Sequence, residues 1–276
     1  RQWHCRVRAV RSLIFNSHEN GMSSLSTPAI ILRRIEYGDF DLILSFLTLE
    51  KGKLSAIAKS ARKSTKRFGG ILELFAALDI LCSSGRRSGL PVLQEAALKQ
   101  PFAAIRASII CTAYASYWAE LIDGWSEEGQ RQPDLYELLL HVLNELDLGR
   151  TPADVLSILF QIRFLVLSGH GPILRGCSRC KRDIDRIEGG TLFFDLSRGG
   201  VVCGRCAAGG SGRLTLSRGT LKQLQWLESG DLSRVGRLRF SPPAIVESLK
   251  VLEAFVPYQL GREPRSLTFL RQVRNP

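Results

Sequence analysis

The chain has 276 residues, 45% of them hydrophobic and 23% charged, which supplies a packed core and excludes a disordered polyelectrolyte. Lys and Arg number 38 against 26 Asp and Glu, a net charge of +12 that favours polyanionic partners through counterion release. No apolar run approaches the roughly 18 residues of a membrane span, so the chain reads as a cytoplasmic protein with no membrane partner.

The opening RQWHCRVRAVRSLIF is basic and then briefly apolar. Its apolar part is too short for a signal peptide, and no small-residue cleavage site follows. Met22 is the sole methionine, so translation is expected to start there. Residues 1–28 then read as an N-terminal extension, mostly upstream of that start. Setting aside the residues before Met22 lowers the net charge to +9, and the basic character survives.

From Ala29 the sequence reads as strands. AIILRRI, LILSFLT, KLSAIA, ILELFAALDIL and LPVLQEAAL are short apolar runs. Turn residues separate them at Tyr37-Gly38-Asp39, Glu50-Lys51-Gly52, Gly69-Gly70 and Ser84 to Gly89. Five strands with the largest insertion after the third predict an OB-fold β-barrel over residues 29–100.

After Pro101 apolar residues recur every three or four positions. One helix is expected in FAAIRASIICTAYASYWAELIDGW, a second in DLYELLLHVLNELDLG and a third in ADVLSILFQIRFLVLSG. Asp134 is the expected N-cap of the second, and Thr151-Pro152 the cap and first-turn proline of the third. Gly149 and Gly169 are natural stops. Helical spacing returns in LSRGTLKQLQWLES and PPAIVESLKVLEAFVPYQL. The fold class is therefore α+β. A barrel precedes an α-helical domain over residues 101–276, with a four-cysteine zinc module inserted at about 176–208.

The strongest local motif is Cys177-x-x-Cys180 with Cys203-x-x-Cys206. Each pair can aim two thiolates at one point, and two pairs complete the tetrahedral sulfur set that Zn²⁺ prefers. TLFFDL and Arg198-Gly199-Gly200 between them read as a hairpin joining the two knuckles. Four protein ligands leave no open position, so one structural Zn²⁺ per chain is expected, against two disulfides or two redox dithiols. His170 reads as a helix-end residue. Cys5, Cys82 and Cys111 have no partner spacing and read as free thiols.

The second motif is KGKLSAIAKSARKSTKRFGG. It carries Lys51, Lys53, Lys59, Arg62, Lys63, Lys66 and Arg67 and no acidic residue. From Lys59 onward the cations recur every three or four positions, which makes a stripe if the segment is helical and a basic tongue if it is a loop. Solvated charged faces mix signs, so a one-signed run beside the third strand predicts contact with nucleic-acid phosphates. Ser60 and Ser64 would add donors. Phe68 reads as a packing residue rather than one that stacks on a base. No Walker phosphate loop and no histidine metalloprotease spacing occur. Asp39 and Asp41, or Glu127 and Glu128, form no evident catalytic set, so no catalytic residues are assigned and no enzymatic activity is expected.

At this point the sequence resembles the RecO family of bacterial recombination mediators. The likeness rests on RIEYGDFDLILSFLTLEKGKLSAIAKSARKSTKRFGGILELF, on RFLVLSGHGPILRGCSRC, where the family has a long helix leading into its first C-x-x-C, and on GREPRSLTFL. It spans about Ala29 to Leu270. The acidic turn departs from the family pattern, with Gly38-Asp39 where glutamate is usual at the second position. The resemblance implies a DNA repair protein that binds single- and double-stranded DNA and anneals complementary strands. It implies action with RecR to load RecA on DNA coated with single-strand-binding protein, whose acidic C-terminal tail would bind the helical domain. Arg163 is a candidate for the rim of that tail site. Two other readings compete: an RNA-binding OB-fold protein with a structural zinc ribbon, and an accessory domain of a nuclease or ligase. If the basic run is only a solvated face, Arg179, Arg182 and Arg205 are the next candidates for DNA contact.

Overall fold

The structure is a computed structural model that describes residues 24–83, 89–187, 191–207, 213–237 and 239–274. The expected start at Met22, the Cys5 thiol, most of the turn from Ser84, and Gly189-Gly190 lie outside the described residues.

The first element is a long strand, β1 (Ser24–Tyr37), followed by β2 (Asp41–Thr48) and β3 (Gly52–Ala58). A single helical turn, α1 (Thr65–Phe68), precedes β4 (Ala77–Ser83) and β5 (Val92–Gln100). Hydrogen bonding runs in the closed order β1-β2-β3-β5-β4. Closure depends on β1, whose first half pairs with β4 and whose second half pairs with β2. A bulge between Ile31 and Arg33 turns the strand from one partner to the other, the usual effect of an extra residue in a ladder. The other seam is slight: β3 meets β5 through one parallel pair, Ile57 with Val92. Alternation puts Leu42, Leu44 and Phe46 of β2 inside, where they pack with Ala56 and Ala58 of β3 and Leu78 and Ile80 of β4.

Two strand boundaries differ from expectation. β1 begins at Ser24 because residues 24–28 pair with β4, so they belong to the sheet rather than to an extension. β4 begins at Ala77, not Ile71. The stretch before it is pinned crosswise on β1: Phe75, at φ 71°, donates to the Ile31 carbonyl, and Ile31 donates to Ala76.

The helical body starts with α2 (Ala103–Ala107) and α3 (Ile109–Trp125), two helices where one was expected. Ser108 breaks them: it is extended, and its hydroxyl accepts from the Cys111 N–H as the cap of α3. Next come α4 (Pro133–Asp147) and α5 (Ala153–Leu167). The expected caps are each displaced by one residue or more. Gln132 caps α4, with Pro133 at its first position and Asp134 inside its first turn. Pro152 itself stands at the cap of α5, while the Thr151 hydroxyl donates to Glu145 at 3.0 Å. Gly149 and Gly169 end the two helices in left-handed conformation, as expected.

Helix α5 is buried on every side from Val155 to Ile162, and the two polar residues in that stretch are partnered: the Tyr117 hydroxyl donates to Gln161 at 3.0 Å, and Gln161 donates to the Ser157 carbonyl. After α5 come β6 (Leu192–Asp195), β7 (Gly200–Val202), α6 (Gly204–Ala207) and β8 (Leu214–Leu216). These strands form a small sheet ordered β7-β6-β8. The chain then closes with α7 (Arg218–Ser229), α8 (Pro242–Leu260) and α9 (Arg265–Arg274). Helix α9 packs mainly on α3 and is tied to α8 by a buried carboxylate. Glu253, 4% exposed, takes two bonds from Arg274, at 2.7 and 2.9 Å, and a third from Arg271 at 3.2 Å.

The closed sheet and the helical body share a continuous junction. Ile30, Leu32, Leu47, Phe75 and Ala77 belong to the helical core rather than to the interior of the sheet. Around them lies a polar seam. Asp123 of α3 accepts from the Ser45 hydroxyl at 2.7 Å and pairs with Lys53 at 3.2 Å, and Arg131 pairs with Glu50 at 3.4 Å. Gly52, at φ 62°, sits so close to the Gln130 carbonyl that a side chain there would collide with it.

Candidate metal centre and nucleic-acid surface

The Sγ atoms of Cys177, Cys180, Cys203 and Cys206 all lie within 4.8 Å of one another. Four thiolates around a tetrahedral ion at ~2.3 Å stand about 3.8 Å apart, so the cluster needs little contraction to take a metal. Backbone geometry does the aiming. In the first knuckle the Lys181 N–H donates to the Cys177 carbonyl at 2.8 Å, and Lys181 adopts φ 62° to turn the chain back. In the second, Cys206 and Ala207 both donate to the Cys203 carbonyl at 2.9 Å. The knuckles are then joined to each other. Ser178 donates to Val201 of β7 at 2.7 Å, and the Arg179 guanidinium donates to the Cys206 carbonyl at 2.9 Å.

Burial pushes the Cys177 thiol up, but the N–H groups of Cys180, Cys203 and Arg179 point at its sulfur and hold it at about 6. Cys206 is pushed up to about 12, first by its hydrogen bond with Cys203. These four residues can hold a metal ion, and theirs is the one such group among the described residues. His170 stands apart, its ring against Trp125 and its Nδ1–H donating to the Ser168 carbonyl at 2.7 Å. Cys82 and Cys111 are free thiols, and burial raises Cys82 to about 11.

The basic segment starts as β3 ends. It is neither one helix nor a loose tongue. Ser60 adopts φ 54° and its N–H donates to Asp41 at 2.7 Å, which folds residues 59–63 into a turn. Ser64 then caps α1 by accepting from the Arg67 N–H. The cations divide into three groups. Lys51, Lys59 and Lys66 are exposed and form no ion pair among the described residues. Arg62, Lys63 and Arg67 are exposed but locally anchored. Arg62 pairs with Glu36 at 3.2 Å and donates to the Asp39 carbonyl, Lys63 lies 3.3 Å from the centroid of the Phe40 ring, and Arg67 lies 4.6 Å from that of Phe68. Lys53 is different. It is half-buried in the junction against Asp123 and unavailable to phosphate. Phe68 is 2% exposed inside the closed sheet, a packing residue as expected.

The remaining candidates take structural positions. The Asp41 side chain holds the turn, Glu127 accepts from Gln130 at 2.6 Å, and Glu128 accepts from the Ser55 hydroxyl. Arg163 donates to the Leu227 and Gly230 carbonyls at the C-terminal end of α7, where burial lowers its pKa. It borders a cleft of about 260 Å³ whose other charged residues are Asp134, Glu137 and Glu228, so that rim is not basic. Arg179 is committed to the second knuckle, while Arg182 and Arg205 are exposed. The roles of Asp41 and Arg179 were not legible in the sequence, because Asp41 meets a turn 19 residues on and Arg179, at a variable position of the first Cys-x-x-Cys pair, meets a carbonyl 27 residues on.

Fold and sites together define a basic α+β protein with a four-thiol cluster that can hold a metal ion and a one-signed cationic turn. Comparison with known proteins makes this specific. The family model "Recombination protein O N terminal" matches residues 22–102, and "Recombination protein O C terminal" matches residues 106–268. The DNA repair protein RecO of Desulfosudis oleivorans is 47% identical over 259 residues, 92% of this chain and 100% of the relative. That of Desulfatibacillum aliphaticivorans is 46% identical over 254 residues, 92% and 98% of the two chains. That of an Anaeromyxobacter species is 34% identical over 252 residues, 91% and 98%. The chain belongs to the RecO family of DNA repair and recombination proteins.

Proposed function

We propose that the chain is a recombination mediator that binds single- and double-stranded DNA and anneals complementary strands. In this reading it works with RecR to promote RecA loading on DNA coated with single-strand-binding protein, and it does so in the cytoplasm. It makes and breaks no covalent bond. Annealing needs only a polycation that screens two phosphate backbones while bases find their partners. The observation that carries the reading is the exposed, one-signed turn from Lys59 to Arg67. We take the closed sheet to be an OB-type barrel covering residues 29–100, since such barrels bind oligonucleotides on one face and its loops. Lys51, Lys59, Arg62, Lys63, Lys66 and Arg67 are assigned to DNA, and Lys53 is withdrawn from the set.

The helical domain, over residues 101–276, would receive the acidic tail of single-strand-binding protein. Cys177, Cys180, Cys203 and Cys206 would hold one structural Zn²⁺, in a module at about 176–208. The donor set fits, being four soft sulfurs within 4.8 Å of one another, which would leave no site for a reactant once they close on an ion. The bound ion would contribute folding free energy to that module.

The test is annealing of complementary DNA coated with single-strand-binding protein, with and without RecR. Acceleration by the chain supports the reading. Failure to anneal, together with tight binding of structured RNA, would overturn it.

A further inference from the structure

The basic turn has an aromatic neighbour. The β1–β2 connection, Gly38 to Phe40, lies against the turn from Lys59, and the contact is made by backbone as well as side chains. The Arg62 N–H donates to the Phe40 carbonyl at 3.0 Å, and the Arg62 guanidinium donates to the Asp39 carbonyl at 3.2 Å. The Lys63 ammonium covers one face of the Phe40 ring. Yet Phe40 remains 40% exposed, and Tyr37, at the other end of the same connection, is 55% exposed. Two large rings at the tip of a hairpin contribute nothing to the interior of the closed sheet, which is filled by Leu42, Leu44 and Phe46 further along β2. Their exposure is a cost in water, and a ligand with flat apolar faces removes it.

We propose that Phe40, with Tyr37 beside it, is a base-stacking platform that makes the basic turn a reader of single-stranded nucleic acid. This rests on the phosphate-binding reading of that turn and goes beyond it. Cations alone cannot distinguish an unpaired strand from a duplex, because both present phosphates. A ring can, because only an unpaired base offers its π-face, and base–aromatic stacking tolerates any sequence. The placement suits the task. A phosphate on Lys63 brings its nucleotide within reach of the ring whose face Lys63 covers, and that ring is still 40% exposed. A protein partner is the competing occupant of an exposed aromatic tip. The cations packed on this one favour a phosphate-bearing polymer.

The experiment uses the full chain with a thymidine homopolymer and, separately, a blunt duplex of equal length, each titrated over a series of salt concentrations. Stacking is worth about 1–3 kcal/mol per base, so Phe40→Ala should weaken single-strand binding by roughly 5- to 150-fold. Duplex affinity and both salt slopes should stay at wild-type values, because no phosphate contact is lost. Tyr37→Ala should act in the same direction. Phe40→Leu keeps an apolar side chain for folding but has no π-face, and should behave like the alanine variant. Equal losses on single strand and duplex would overturn the proposal, as would wild-type single-strand affinity in Phe40→Leu, which would leave the tip to a protein partner. Failure of the underlying phosphate reading looks different: the salt slope of the wild-type chain itself would be near zero.

Discussion

Lys53 of β3 and Asp123 of α3 form an ion pair at 3.2 Å across the junction of the closed sheet and the helical body, with the lysine also donating to the Asp123 carbonyl. Both side chains are about one-fifth exposed, so the pair is shielded from water but not sealed. A lysine in a basic run is thereby taken out of the pool of phosphate ligands and given to architecture. Lys53→Ala should lower stability by about 1–3 kcal/mol, since it takes the shielded cation from Asp123 and leaves that carboxylate the Ser45 hydroxyl and, at 3.9 Å, the exposed Arg33. It should leave the salt slope of DNA binding unchanged. Denaturant unfolding and a salt titration of the same variant check both halves, and a flattened slope with unchanged stability would contradict the assignment.

The exposed cations should account for the salt dependence. If Lys59, Arg62, Lys63, Lys66 and Arg67 each neutralise one phosphate, single-strand affinity should fall with a log–log slope of about −3.5, at roughly 0.7 per contact. Replacing Arg62, Lys63, Lys66 and Arg67 with alanine should flatten that slope by nearly three. The loss should be alike for all sequences, because phosphates carry no base information. A quadruple variant with wild-type slope would shift attention to Arg182 and Arg205 of the cysteine module.

Purified chain should contain one zinc, measured by elemental analysis. Cys177→Ser or Cys203→Ser should lose the metal and lower the thermal midpoint, because the ion contributes to folding the β6–β7–β8 module. DNA binding by the distant closed sheet should change less. Metal-free chain with an unchanged midpoint would remove the structural role.

Glu253 is the buried charge on which α9 depends. Glu253→Ala takes the buried carboxylate from Arg274, which keeps Asp154 at 3.8 Å, and from Arg271, which keeps Glu263 and the residue-253 carbonyl; full loss of one partner from a buried pair costs about 3–5 kcal/mol, so the cost here should lie at or below that range. The expected signature is early exchange of α9 amides with solvent, since its tie to α8 is gone. Amides of α9 that keep wild-type protection would show that packing against α3 suffices.

His141 of α4 sets an acid limit. Its Nε2 is buried without a partner, and burial lowers its pKa below the ordinary value of about 6.5. The unfolded chain therefore takes the proton more readily than the folded one. Stability from the neutral ring is complete above the unfolded value and is lost as pH falls through the lower folded value. His141→Phe should flatten the pH dependence of stability below about pH 6.5, measured by unfolding at each pH.

Much of this was readable in the residues. Short apolar runs between turn residues placed β2 and β3 closely, since LILSFLT and KLSAIA each fall within one residue of the observed strand. Cysteine spacing forecast the cluster because a two-residue gap encodes its own local geometry. What stayed hidden was set at a distance or by a single dihedral. Ser108 divides two helices inside an unbroken apolar period, and nothing in FAAIRASIIC marks it as a cap. The start of β4 was misplaced because Phe75 is held by Ile31, far back in the chain. The fate of Lys53 was invisible because its partner lies 70 residues away. Arg163 looked like a free surface cation, and only the fold brings the end of α7 within its reach.

Gly52 carries a mechanical consequence. The turn between β2 and β3 abuts the Gln130 carbonyl with no space for even one methyl group. Stiffness between the two halves of the molecule is therefore concentrated where a side chain is missing. Any residue other than glycine at that position would act as a shim, forcing the α3–α4 loop off the sheet and loosening the coupling of Lys53 to Asp123. Under the proposed function, a DNA strand held by the sheet and a protein tail held by the helices would then no longer be kept in fixed relation, even with every contact residue in place.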